Sequence, residues 1–269
     1  GQLSNLNMSP TNFNLINPVY SQKDNFFNYR ILDEDFYKNT KYQTQVLWSL
    51  EKTNMEDVDP WTSVTLANSI DLNGNAGKLT SLETFNELLI AFQEKSISQI
   101  LFNERVQIPT SDGTPIEISN NYKVEGVRKI QDSVGCNNKF KITKSPYGIY
   151  FIDDNNKAIY LFDGKLKDLS NTLGLKSWVN DYGICDTNNK LTYKEAIGVR
   201  LSYDPINKDV YFSPMNDKDN YNTLCYSEQL GTFTSFMSYS NVILLPFEKS
   251  FWTIKSEESG TKLYENFKG

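Results

Sequence analysis

Residues 147–164, YGIYFIDDNNKAIYLFDG, set two alternating apolar runs on either side of a polar turn made of Asp153, Asp154, Asn155 and Asn156. A side-chain period of two puts Ile149 and Phe151 on one side of the first run and Tyr150 and Ile152 on the other. In the second run Ile159 and Leu161 oppose Tyr160 and Phe162. Asn and Asp tolerate left-handed backbone and bond their own main chain, so the segment predicts a hairpin of two half-buried strands.

The same grammar returns along the chain. Residues 85–103 place Gln93, Glu94, Lys95 and Ser96 between an apolar run and an alternating one, and residues 208–239 repeat the pattern around a longer loop, MNDKDNYN. Residues 250–267 give a fourth copy and 42–52, YQTQVLWSLEK, a weaker fifth. Their centres near Val46, Leu88, Ile149, Val210 and Phe251 are spaced by about 40 or about 60 residues, an interval of the kind propeller blades show. The expectation is an all-β, β-propeller-like array of about five antiparallel hairpin or blade units with few short helices.

Two stretches fall outside that rhythm. Residues 1–40 are rich in Asn and scattered aromatics without a sustained period, which predicts an irregular arm docked on the body, with the propeller-like domain occupying 41–269. Residues 105–135 read as a long excursion between blades, with an SDG turn at 111–113 and a proline-restricted strand. The segment TSLETFNELLIAFQEKSISQI is ambiguous: Thr80 and Glu83 form a capping-box pattern, and Leu82, Phe85, Leu89 and Phe92 suit a helical face. Correspondence with the other hairpins favours strands. A short helix is expected at LKDLSNTLGLKSWV, where Leu166, Leu169, Leu173 and Trp178 share one face.

Composition narrows the chemistry. The chain has 269 residues, 39% of them hydrophobic and 13% aromatic, enough for a sizeable core. A net charge of −6 and a pI near 4.9 argue against tight wrapping of nucleic acid. No run is long and apolar enough to span a membrane, so the expectation is a soluble protein without membrane contact. Cys136, Cys185 and Cys225 lie far apart and predict three reduced thiols. Gly1 stands where an initiator Met is expected and the chain stops just past a strand-like run, so a fragment of a longer protein is expected.

There is no histidine, which removes imidazole relays and imidazole metal ligands. Glycosidase chemistry needs only two carboxylates, and Asp153, Asp154, Asp163, Asp204 and Asp209 lie near predicted strand ends. Asp at a reversal already has a backbone role, which is the commoner one. Arg30, Arg105, Arg128 and Arg200 do not have the spacing of a sialidase arginine cluster. Asp71, Asn73 and Asn75 resemble the start of a calcium loop, but the glycine falls at Gly77 and the closing acid at Glu83, each one place late for an EF-hand. Tyr147, Tyr150, Tyr160, Phe162, Tyr211, Phe212, Phe233, Phe236 and Trp252 could stack sugars or bases, although alternate aromatics more commonly fill the wedge between blades. The reading assigns no catalytic residue, no cofactor-binding residue, no metal site and no cofactor.

Taken in order, NFFNYRILDEDF, VLWSLEK with DVDPWTSVTLA, ISQILFNERVQIPTSDGTPIEIS, VGCNNKFKI, GIYFIDDNNKAIYLFDGKLKDLS and LCYSEQLGTFTSFMSY resemble a tail structural protein of crAss-like bacteriophages. The likeness extends more distantly to the tail-hub, nozzle and stabilisation β-propeller proteins of short-tailed phages. It implies a non-enzymatic virion component, made in the bacterial cytoplasm, that joins portal and other tail proteins and copies of itself in a ring around the DNA exit channel. DNA would pass only non-specifically, and an isolated fragment would be monomeric. The alternative from a different class is a propeller that binds or hydrolyses glycans on a bacterial surface. A pocket holding two carboxylates and exposed aromatics would favour that alternative, and a carboxylate-poor centre the tail component.

Overall fold

The computed structural model describes residues 42–50, 60–62, 64, 67–102, 105–109, 115–119, 124–183, 198–214, 223–237, 242–247, 250–257 and 260–266. The predicted arm at 1–40 and Cys185 lie outside them. The chain divides into two compact units, one holding residues 1–72 and 102–126, the other 73–101 and 127–269.

Strands follow one another in chain order as β1 (Gln45–Leu47), β2 (Ser69–Asp71), β3 (Leu79–Phe85), β4 (Leu88–Gln93), β5 (Ser96–Phe102), β6 (Arg105–Pro109), β7 (Pro115–Ser119) and β8 (Val124–Asp132). They continue with β9 (Ile142–Lys144), β10 (Ile149–Asp153), β11 (Ala158–Phe162), β12 (Leu166–Asp168), β13 (Val199–Asp204) and β14 (Asp209–Pro214). The last are β15 (Thr223–Ser227), β16 (Thr232–Met237), β17 (Val242–Phe247), β18 (Ser250–Glu257) and β19 (Gly260–Asn266).

In the first unit, β1 and β2 form a two-stranded antiparallel ladder with Val46 opposite Ile70. The weak fifth hairpin expected at 42–52 is therefore not a hairpin: its strand is three residues long and its partner comes from more than twenty residues on. The excursion expected at 105–135 is also more regular than predicted. Strands β6 and β7 pair in a ladder that runs from Arg105 opposite Ser119 to Pro109 opposite Pro115 at its loop end, where the pairing stops.

The second unit is four antiparallel sheets in sequence: β3-β4-β5-β8, β9-β10-β11-β12, β13-β14-β15-β16 and β17-β18-β19. The helical alternative for 80–100 is absent. The Thr80 hydroxyl donates to the Cys136 carbonyl at 2.7 Å, and Glu83 accepts from the Ser81 hydroxyl, so neither side chain caps a helix. Asn86 and Glu87 both take left-handed backbone, with φ of 47° and 64°, and close a two-residue reversal between Phe85 and Leu88.

Strand β10 is not half-buried. Ile149, Tyr150, Phe151 and Ile152 are all essentially inaccessible, because a sheet packs on each side of it. Ile149, Phe151 and Phe162 join Phe85, Ile90, Phe92 and Ile97 of the first sheet in one core. Tyr150, Ile152, Ile159 and Leu161 join Val199, Leu201, Val210, Phe212, Leu224 and Tyr226 of the third sheet in another. A third core sets Tyr211 and Cys225 against Phe251 of the last sheet. Each junction carries an aromatic pair: Phe92 with Phe151 at 5.1 Å, Tyr150 with Tyr226 at 5.6 Å, and Tyr211 with Phe251 at 5.2 Å between ring centres. Fully burying one such side chain is worth about 1.5–3 kcal/mol, so these seams hold the sheets in series.

The helix expected near 165–178 appears in two pieces, α1 (Leu169–Thr172) and α2 (Lys176–Trp178), the second running into a π-turn at Val179–Gly183. Asp168 caps α1 by accepting from the Asn171 N–H at 2.9 Å, and Gly174, at φ 77°, ends the turn in the left-handed region. Leu169, Trp178 and Val179 then seal the edge of the core between the second and third sheets.

Candidate functional site

The densest polar constellation lies where the β10–β11 turn meets the segment 133–141. Asp153, the last residue of β10, is fully buried. Its Oδ1 accepts from the N–H groups of Asn155 at 2.7 Å and Asn156 at 3.2 Å, and its Oδ2 accepts from the Gly135 N–H at 3.1 Å and from Asn156 Nδ2 at 2.7 Å. Burial nevertheless pushes its carboxyl above the usual range, against the pull of those donors. Asn156 also donates to the Ser133 carbonyl and Asn155 to the Glu94 carbonyl at 2.9 Å, which ties this turn to the first sheet.

Asp154 takes a different role. It pairs with Lys141, whose side chain is fully buried, and accepts from Asn137 Nδ2 at 3.2 Å. Beside them the Cys136 thiol is pushed up to about 12, chiefly by burial. Cys225 is likewise buried and its thiol raised. Native chain treated with a thiol reagent at pH 8 is expected to leave both unmodified over the time in which a free cysteine reacts completely, because the thiolate is the reactive form. Rapid loss of either thiol by peptide mass analysis would contradict this.

The Asp204 turn repeats the Asp153 turn. Asp204 Oδ1 accepts from the Ile206 N–H at 2.8 Å and its Oδ2 from Asn207 Nδ2 at 2.8 Å. Both turns end on a left-handed lysine, Lys157 at φ 53° and Lys208 at φ 58°. The shared pattern, Asp then Asn-Lys at the third and fourth places after it, was present in the sequence as a signal that the acidic-turn reading did not pair.

Of the remaining carboxylates, Asp163 is held below the usual range by its hydrogen bond from Lys167, and Asp209 is pushed up by burial. Asp153 and Asp204 thus hold turns, Asp154 and Asp163 pair with lysines, and Asp209 lies opposite Asp204 at the end of the β13–β14 ladder. A concavity of about 520 Å³ opens beside the first of these turns, lined by Asn73, Asn75, Lys95, Lys129, Asn155 and Asn156 among others. Its one lining carboxylate, Asp132, is bound to Lys129 at 2.8 Å, and no aromatic lines it.

The calcium-like loop is organised around a glutamine. Asn73 caps the short 3-10 turn Gly74–Ala76, and Gln93 Nε2 donates to the carbonyls of Asn73 and Gly77, both at 2.9 Å. Gln93 is itself fully buried, so the amide nitrogen sits where a cation would need those carbonyl oxygens. Gly77 requires its φ of 80° and leaves no room for a Cβ against Glu94. Among the described residues no group of three or more Cys, Asp or Glu is placed to hold a metal ion.

One titratable cluster went unseen in the sequence. Glu228, in the turn after β15, buries both carboxylate oxygens without a hydrogen bond of normal geometry, close to the hydroxyls of Tyr150 and Tyr203. Burial first, and the Glu228 charge second, push Tyr203 up to about 12 and Tyr150 higher. Tyr150 is inaccessible and belongs to the core between the second and third sheets, so its hydroxyl does not face solvent. Of the candidate arginines, Arg200 lies over the Phe140 ring at 4.8 Å and Arg128 is exposed, while Arg30 and the side chain of Arg105 fall outside the described residues.

The candidate aromatics divide as packing predicts. Tyr150, Phe162, Tyr211 and Phe212 are buried, Tyr160, Phe233 and Trp252 are half-buried, and only Tyr147 and Phe236 stand out in solvent. None of the described helices is long and apolar enough to cross a membrane.

Comparison with known proteins places this arrangement. A solved structure from Bacteroides fragilis, described as a 6-phosphogluconolactonase, aligns over 75% of this chain and 59% of its own at a TM-score of 0.39 and 14% identity, too shallow a likeness to carry an argument. The muzzle protein of Bacteroides phage crAss001 is 44% identical over 270 residues, covering all of this chain and 19% of the relative, so the chain spans about a fifth of that protein's length. The sequence pattern of the Crassvirus muzzle protein matches residues 1–257. The crAss-like origin of the resemblance stands, whereas the tail-hub, nozzle and stabilisation types rest on the resemblance alone. On these matches the chain belongs to the Crassvirus muzzle protein family.

Proposed function

We propose that this chain is a non-enzymatic structural segment of a bacteriophage virion tail, and that the four sheets of its second unit act as blades of a β-propeller in a ring around the DNA exit channel. Membership of the muzzle family carries the reading. Two structural features support it. Sheets packed in series through aromatic seams make a rigid wedge with few open edges, and such wedges tile into rings. The candidate aspartates at the strand ends serve turns and ion pairs, which favours scaffolding over the glycan-cleaving alternative.

In this role the partners are portal and other tail proteins and further copies of the chain, assembled in the host cytoplasm without membrane, metal or cofactor. A net charge of −6 suits a surface past which DNA slides without being held. The segment 1–40 is the arm that contacts neighbours, and 41–269 the body.

Deleting residues 1–30 tests the division of labour. The truncated protein is expected to enter virions at least tenfold less, by quantitative mass spectrometry of purified particles, while the melting temperature of the purified chain moves by only a few degrees. Unchanged incorporation would remove the arm from the assembly contacts. A collapse of the melting temperature would make it part of the fold.

A further inference from the structure

The four sheets of the second unit obey one rule: each is covered by the next in chain order, through a seam with an aromatic pair. Among the described residues the last sheet, β17-β18-β19, is covered on one face. Phe251 and Thr253 of β18 are buried on the side of Tyr211 and Cys225. The alternate residues face the other way. Trp252 lies between Leu245 and Glu265, and Ile254 beside Leu263, by strand register. Leu263 is 59% exposed and Leu245 37%, with Trp252 and Ile254 only half-buried.

This face has the composition of a seam. Three aliphatic side chains surround an indole whose Nε1–H already donates to the Ser250 hydroxyl at 2.6 Å, so the ring has no polar demand left for solvent to meet. Among the described residues this sheet has three strands where the other three have four. Strand β13, the first of its sheet, contacts both β9 and β17, the first strands of the sheets before and after it, so the series runs on in one sense as far as this sheet.

We propose that the face formed by Leu245, Trp252, Ile254 and Leu263 is the docking surface for a further β-sheet of the muzzle polypeptide, supplied by the part of that polypeptide that residues 1–269 do not span. Two observations select this occupant. The covering element is the next sheet of the same polypeptide at every other junction, and the muzzle relative carries about five times the length of this chain, which leaves ample polypeptide to supply one. The occupant presents aliphatic residues at a two-residue period and an aromatic ring against Trp252. The inference rests on the blade reading of the proposed function.

Thiol accessibility tests it. Leu245→Cys and Leu263→Cys are each made in the full-length polypeptide, with Leu230→Cys, at a position 70% exposed in the turn before β16, as the open reference. Maleimide labelling is followed by peptide mass spectrometry in purified virions, in the purified full-length polypeptide and in the 269-residue chain. In the chain alone all three thiols should label within about threefold of each other. In the full-length polypeptide the thiols at 245 and 263 should label at least tenfold more slowly than the one at 230, and a short thiol-reactive cross-linker should join them to the same polypeptide outside residues 1–269. Equal labelling in the full-length polypeptide overturns the proposal, and so does a cross-link to a second copy or to a different protein. Absence of the polypeptide from virions defeats the structural-component reading, while labelling of the purified polypeptide still decides this one.

Discussion

Asp153→Ala is expected to lower the melting temperature of the chain by roughly 6–12 °C, the equivalent of about 3 kcal/mol for a unit of this size. Four donors lose their acceptor at once: the turn N–H groups of Asn155 and Asn156, the Gly135 N–H and the Asn156 amide. The Gly135 N–H is buried, so water does not replace the lost partner cheaply. Asp153→Asn keeps an oxygen for the two turn N–H groups but sets an amide NH₂ against Gly135, and it should cost about half as much. It also changes the response to pH. The folded carboxyl of Asp153 lies above its unfolded value, so the stability it contributes is fully present below the unfolded pKa and is lost as pH rises through the folded one. The asparagine variant should show a smaller fall over that interval. A D153A chain that melts within 2 °C of the parent by differential scanning calorimetry would remove this turn from the supports of the fold.

Lys141→Met is expected to cost about 3–5 kcal/mol, because it leaves the Asp154 charge, 8% exposed, without its cation. Replacing both partners should recover most of that loss. A buried pair is expensive to break and nearly neutral to replace, since two desolvated charges gain little over well-packed apolar groups. The double variant, Lys141→Met with Asp154→Leu, is therefore expected to lie within about 1.5 kcal/mol of the parent in urea unfolding. If the double variant is as unstable as the single, the apolar replacements do not fit the space that the ion pair occupies.

The hairpin at 147–164 was legible because its polar turn and its two runs agree in period, and the turn chemistry of Asp153 is what the sequence indicates. Its burial was misread from the same residues. A run of Ile149, Tyr150, Phe151 and Ile152 has apolar side chains at both parities, which marks a strand covered on two faces. The strand reading of 80–100 agrees with the structure, but the reversal between β3 and β4 was not placed, because Asn86-Glu87 lacks the glycine that usually announces a two-residue turn, although both residues adopt left-handed backbone. The irregular reading of 105–135 gave weight to Pro109 and Pro115, which the structure places opposite each other at the loop end of the β6–β7 ladder, where the pairing stops. Glu228 and Tyr203 could not be paired from sequence, since they meet only when β13 and β15 take their places on either side of β14. The reading of the acidic turns as scaffolding agrees with the hydrogen bonds of Asp153 and Asp204.

The central claim is that these sheets build a structural wedge in the virion tail. A cryo-electron microscopy reconstruction of the tail from purified virions tests it most directly. The account predicts several copies of the four-sheet unit arranged about the tail axis at the DNA exit channel, with the Leu245–Leu263 face covered by further β-structure. A tail reconstructed to side-chain detail with no density that fits this unit around the channel would contradict it.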